Sequence, residues 1–246
     1  MPDLALTARA VKAAIRRDAD PERAEAALWY FKTGPGEYGE GDRFLGVAAA
    51  PLRRISRQFR NLPLSEVDRL LASPWHEDRS AAVLILGEAY PRSDPERQER
   101  IYRLYLSRTD RVNGWDLVDC SAAEVVGRHL RHRSRKPLHR LARSRSLWER
   151  RIAIVATKHW IREGELDETM ALAERMVHDP EDLIQKAVGW MLREVGQPDQ
   201  AALERFLDRH AATMPRTMLR YAVERLPATE RKRYMAAAGR KRPTAR

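Results

Sequence analysis

Residues 185–193 read Gln185-Lys186-Ala187-Val188-Gly189-Trp190-Met191-Leu192-Arg193. Ala187, Val188, Met191 and Leu192 recur at helical spacing, so this segment is a helix with one apolar stripe. Similar stripes stand upstream: Ile152, Ile154, Val155 and Trp160; Val118, Ala122, Val125 and Val126; Ala81, Ala82, Leu84, Ile85 and Leu86. Arg79, Trp115, Arg151 and Lys186 each sit early in such a helix, 36, 36 and 35 residues apart. That period is the scale of antiparallel helix-pair repeats, where each pair buries its stripe only by stacking on its neighbours. The expected fold is all-α, a curved solenoid of antiparallel helix pairs. Its concave side would present one corresponding position from each unit, so charged or aromatic residues recurring there would line one basic groove.

The helix ends point the same way. About a dozen helices are expected, most of 10 to 18 residues. Asp20-Pro21, Asp94-Pro95 and Asp179-Pro180 each place a capping acid before a proline suited to the first helical position. Ser65-Glu66-Val67-Asp68 reads as a capping box opening a helix through Leu71. Two stretches break the pattern. The glycine-rich run from Thr33 to Gly41 lacks the Gly-Lys-Ser/Thr ending of a phosphate-binding loop and follows a helix rather than a strand. It reads as a turn folding the first helices back, or a flap over the groove. Residues 239–246 read as a disordered basic tail, leaving one domain over 1–238.

The chain has 246 residues, a formal net charge of +11 and a sequence pI near 10.2. A solvated surface does not require that excess, and a polyanionic partner accounts for it. Cys120 is the only cysteine, which excludes an intramolecular disulfide and a cysteine-cluster zinc site. Seven histidines show no metal-ligand spacing. The N-terminal stretch carries acids early and does not read as a signal peptide, and no window approaches the ~18 apolar residues of a membrane span. A cytoplasmic protein without membrane contact is expected, with a monomer as the simplest state.

Three clusters can carry chemistry. Trp115 and Asp119 are four residues apart and share a helix face, so a ring and a carboxylate can act on one cationic group. The competing reading holds Asp119 in a structural ion pair with Arg151. Trp190 is flanked by Lys186 at i−4 and Arg193 at i+3. Between Arg128 and Arg151 stand ten lysines and arginines against one acid, Glu149, whereas a merely solvated face interleaves signs. Cys120 is assigned no chemistry.

The strings WDLVD, LWERRIAI and LIQKAVGWMLREVG resemble the AlkD-type DNA alkylation-repair glycosylases, over most of the chain from about Glu25 to about Tyr234. The resemblance implies HEAT-like repeats, a groove holding damaged duplex DNA, and release of purines alkylated at N3 or N7. It implies no metal or small-molecule cofactor. Trp115 and Trp190 match the tryptophans beside the lesion, Asp119 the catalytic aspartate, and Arg151 the arginine at the nearby phosphate. Tyr30 resembles an aromatic position lining the site, and Lys186 and Arg193 are implied phosphate contacts. The sequence departs from the pattern at Gly114, where prototypes carry a second tryptophan, and in its longer glycine-rich stretch.

An N3- or N7-alkylated purine is cationic and leaves without needing a proton, while its sugar develops oxocarbenium character. A carboxylate near the anomeric carbon meets that charge and positions water. The resemblance also implies action without flipping the base. Competing hypotheses are a non-catalytic binder of distorted or branched DNA with the same fold, and a repeat scaffold for protein partners, which the basic excess disfavours.

Overall fold

The computed structural model describes residues 5–237. The expected tail at 239–246 lies outside the described residues. All regular structure among them is helical apart from one isolated bridge between Arg43 and Trp75. The chain packs as two compact units, one running to His129 and the other from Leu130.

The first unit contains α1 (Ala8–Arg17), α2 (Pro21–Tyr30), α3 (Ala49–Gln58), α4 (Leu64–Leu71), α5 (His76–Ala89), α6 (Pro95–Ser107) and α7 (Trp115–Ala122). After α7 the helix widens into a π-turn, Ala123–Gly127, and the short α8 (Arg128–Leu130) crosses the boundary between the units. The second unit contains α9 (Lys136–Leu141), α10 (Leu147–Ala156), α11 (Lys158–Ile161), α12 (Asp167–Met176), α13 (Asp182–Val195), α14 (Gln200–His210), α15 (Arg216–Ala222) and α16 (Ala228–Ala237). The longest helices have 14 residues and several have fewer than 10, shorter than expected.

Arg79, Trp115, Arg151 and Lys186 fall at the fourth, first, fifth and fifth positions of α5, α7, α10 and α13, so the period of about 36 marks equivalent helices. Within the first unit α5 packs on α7, and within the second α10 packs on α13 and α13 on α15. Each buries the stripe read from sequence: Val118 and Ala122, Ile152, Ile154 and Val155, Ala187, Val188, Met191 and Leu192. At Gly189 a Cβ would lie 2.5 Å from the Met218 carbonyl and 2.6 Å from the Tyr221 side chain. Only glycine lets α13 and α15 approach so closely.

Two proline caps form as read. The Asp20 side chain accepts the N–H groups of Glu22 and Arg23, and Asp94 accepts that of Arg97. Two other readings need correction. Helix α13 opens at Asp182, beyond Pro180, and Asp179 pairs instead with Arg150 at 2.8 Å while accepting the Glu181 N–H. Helix α4 opens at Leu64 after Pro63, and Ser65 makes no cap. Glu66 accepts the N–H of Ala8, 58 residues away, and pairs with Arg69 at 2.7 Å. Asp68, the carboxylate that the local motif would have used, is taken instead by Arg108 at 2.5 Å.

The first turn of α5 is the polar knot of the first unit. His76, Glu77, Asp78 and Arg79 are consecutive and all buried. Glu77 accepts the N–H groups of Leu45, Gly46 and Val47. Asp78 meets Arg16 at 3.2 Å, Lys12 at 3.9 Å and the Ser73 hydroxyl at 2.7 Å. Arg79 clamps both oxygens of Asp42 at 2.8 Å. Burial of four such groups is tolerable because every charge is paired or hydrogen-bonded.

Candidate functional site

Trp115 is the first residue of α7 and Asp119 lies one turn later on the same face; both are half-buried. The indole is backed by other rings. Phe31 stacks on it at 5.4 Å and 21°, and Tyr30 meets it edge-on at 5.8 Å and 69°. Phe31 stacks in turn on Phe44 at 4.9 Å. Such pairs contribute about 0.5–1.5 kcal/mol each beyond area burial, enough to hold the indole in one orientation. Helix α2 ends at Tyr30, and Lys32 adopts a left-handed φ of 51° that turns the chain away behind Phe31. Tyr30 is 57% exposed, and its neighbour Trp29 is 85% exposed.

The glycine-rich stretch from Thr33 to Gly41 folds into successive turns closed by Glu37 N–H to Gly34 O and Gly39 N–H to Lys32 O. It delivers Asp42 to the buried imidazole of His76. His76 Nδ1 lies 2.7 Å from Asp42 and Nε2 lies 2.8 Å from Asp116, the residue after Trp115. The same ring stacks on Phe44 at 4.6 Å and lies 5.0 Å from Phe31. Burial alone would lower its pKa, but Asp116 and then Asp42 overcome that and raise it to about 9. The ring is therefore an imidazolium donating from both nitrogens. Asp42 responds oppositely: burial pushes its carboxyl up, yet His76 and Arg79 hold it below the ordinary value.

This bridge accounts for Gly114. A Cβ there would lie 2.8 Å from Asp116 Oδ1 and 3.2 Å from His76 Cε1, leaving no room for an indole beside the intact bridge. Next to Asp119, burial first and then the charges of Asp116 and Asp119 push the Cys120 thiol far up. Cys120 stays a neutral thiol, with its S–H directed at the Leu117 carbonyl at 3.4 Å.

In the second unit Trp190 lies on α13, half-buried, with the Lys158 ammonium 4.2 Å from its ring centre. Its Nε1–H donates to Glu194 at 3.2 Å. Lys186 pairs with Asp182 at 2.6 Å, and Arg193 pairs with Glu224 and, at 3.3 Å, with Glu194. Arg151 is buried, and its Nη1 donates to the Leu183 carbonyl at the start of α13. The basic run is also less bare than its sequence reads. Arg131 reaches Glu163 and Glu165, Arg135 reaches Glu165, and Arg150 reaches Asp179.

A family model described as DNA alkylation repair enzyme matches residues 11–226. The chain belongs to the DNA alkylation repair enzyme family. A solved structure titled as a predicted DNA alkylation repair enzyme from Enterococcus faecalis is similar in fold, with a TM-score of 0.67 at 18% identity. The match covers 86% of this chain and 98% of that one. No protein of curated function matches by sequence.

Of the residues read from sequence, the first unit brings Tyr30 against Trp115 with Asp119 one turn on, while in the second Trp190 and Arg193 share Glu194 and Arg151 and Lys186 meet other partners. Sequence reasoning missed Phe31, Asp42, His76, Asp116 and Lys158. One signal was available: His76-Glu77-Asp78-Arg79 puts four consecutive charged or titratable residues at the head of an apolar helix. Their partners, 34 and 40 residues away in the case of His76, carry no local signature. Among the described residues no group of three His, Cys, Asp or Glu side chains is placed to hold a metal ion. No described helix is long and apolar enough to cross a membrane.

Proposed function

We propose that this DNA alkylation repair enzyme is a monofunctional glycosylase that hydrolyses the N-glycosidic bond of cationic N3- and N7-alkylpurines in duplex DNA. The observation that carries the reading is the pairing of Trp115 and Asp119 on one face of α7, with the indole held by Phe31 and flanked by exposed Tyr30. The ring attracts the cationic lesion through its face, by about 0.5–2 kcal/mol. That is small beside a glycosidic barrier, so Asp119 carries the larger share. Its carboxylate meets the positive charge developing on the sugar and orients water toward the anomeric carbon. The charged purine leaves without protonation, so no general acid is required.

Trp190 takes the corresponding part in the second unit, and its ring already attracts the ammonium of Lys158. Arg151, Lys186 and Arg193 serve the phosphates near the lesion, Lys186 and Arg193 by exchanging protein carboxylates for DNA oxygens. Both units act as one repeat domain over residues 1–238, with DNA along a basic groove and the damaged base left in the stack. The protein works as a monomer in the cytoplasm, without cofactor.

The test is release of free base from a duplex carrying N7-methylguanine, by wild type and Asp119→Asn. Release reduced about 10²-fold or more in the variant at unchanged DNA affinity supports the reading. Equal release removes Asp119 from the mechanism. Binding without release by the wild type would make the protein a non-catalytic binder, for which the anchored glycine-rich stretch beside Tyr30 offers a structural reason.

A further inference from the structure

Helix α9 and the turn after it sort their cations onto two faces. Arg135 and His139, four residues apart, reach the acids of the following segment: Arg135 meets Glu165 at 2.9 Å, and His139 meets Glu168 at 2.8 Å. Lys136, Arg140 and Arg143 fall at i, i+4 and i+7, one position round the helix, and all three are exposed. Among the described residues none of these three side chains makes an ion pair or a hydrogen bond. Arg175, near the end of α12, joins them in the same condition. The four line one open cavity of about 860 Å³ together with a single acid, Glu149. Other arginines of this unit do meet carboxylates, among them Arg131, Arg150, Arg193, Arg209 and Arg233.

Like charges gathered around one hollow repel one another, and the fold gains nothing from leaving them unmatched. We propose that this cavity is a phosphate-binding site that grips the backbone of duplex DNA, separately from the residues assigned to the lesion. The inference rests on the reading of the protein as a DNA-binding enzyme and adds to it the place where sequence-independent affinity arises. Guanidinium groups present paired N–H donors that match a phosphodiester's two free oxygens, and Lys136 adds a point charge. Neither the cavity nor its cations reads base edges, so damaged and undamaged DNA bind there alike.

The experiment is a salt titration of binding to undamaged duplex by fluorescence anisotropy. Wild type is compared with Arg140→Ser/Arg143→Ser and with the control Arg205→Ser/Arg209→Ser, which removes two arginines that meet carboxylates. The slope of log K against log salt should become shallower by about 2 in the first variant and hardly change in the control. All four side chains are exposed, so melting temperatures should agree with wild type. Equal changes in test and control variants would reduce the effect to net charge and overturn the site. An unchanged slope in the first variant, with steep salt dependence in wild type, would also overturn it and leave the DNA reading standing. Absence of any duplex binding by wild type would instead sink the DNA reading itself. Saturable binding of inorganic phosphate that Arg140→Ser/Arg143→Ser abolishes, without any change in the DNA slope, would assign the cavity to a free anion and overturn the proposal.

Discussion

His76 donates to Asp116 at 2.8 Å, and so the residue next to Trp115 is tied to the buried head of α5. The other ring nitrogen holds Asp42 at 2.7 Å, so one imidazolium joins the glycine-rich stretch, α5 and α7. A histidine raised from 6.5 to about 9 contributes its full stability below the unfolded value, and that contribution is lost as pH rises through about 9. Asp42, lowered from 3.8, works in the other direction: its contribution is present above the unfolded value and lost as pH falls through the folded one. Unfolding free energy should therefore be flat between about pH 4 and 6.5 and fall across 6.5–9, by on the order of 3 kcal/mol from His76. Denaturant titrations of wild type and His76→Gln at a series of pH values check this. A decline of the same size in the variant would show that another group causes it.

Gly114→Trp restores the residue that the family resemblance leads one to expect, at the expense of the bridge. The added side chain must displace Asp116 or His76, which lie 2.8 and 3.2 Å from its Cβ position. Lower stability at neutral pH and loss of the decline between pH 6.5 and 9 are expected. Wild-type stability with the decline intact would mean that an indole and the bridge fit together after all.

Gly189→Ala should destabilise the second unit. Its methyl group meets the backbone carbonyl of Met218 at 2.5 Å, which cannot swing aside as a flexible side chain would. Forcing α15 away from α13 should cost about 1–3 kcal/mol, read as a lowered denaturation midpoint. The better helix propensity of alanine recovers less than about 1 kcal/mol, so a net gain in stability would contradict the close approach.

Lys158→Met should sharpen discrimination for damage. The Lys158 ammonium covers the face of Trp190 that a cationic purine would use. Removing that competitor should raise the affinity ratio of N7-methylguanine duplex to undamaged duplex several-fold, up to about tenfold. The ratio, rather than either affinity alone, is the readout, because the lost charge weakens binding to both duplexes. A ratio unchanged or lowered would place the lesion away from this ring.

How far each feature was legible follows from the range of the interactions behind it. Helical periodicity and the 36-residue spacing needed only neighbours along one helix, and α5, α7, α10 and α13 appear where that spacing put them. The Asp20 and Asp94 caps formed because each acid and the N–H groups that donate to it lie within three residues. Trp115 and Asp119 shared a face for the same reason. The Ser65 box failed because Arg108 claimed Asp68, and the Asp179 cap failed because Arg150 claimed the carboxylate. In both cases a charged side chain chose a distant partner over a local one.

From its sequence alone the protein was determined to be a run of stacked apolar helices with a basic excess, carrying an indole and a carboxylate one turn apart. Those properties depend on residue type and on spacing within a single helix. Tertiary structure alone decided which charges are neutralised, that an imidazolium braces the helix bearing Trp115, and that four cations share one cavity with a single acid. Charges act through space, so their balance is settled only when segments distant in sequence are folded against one another.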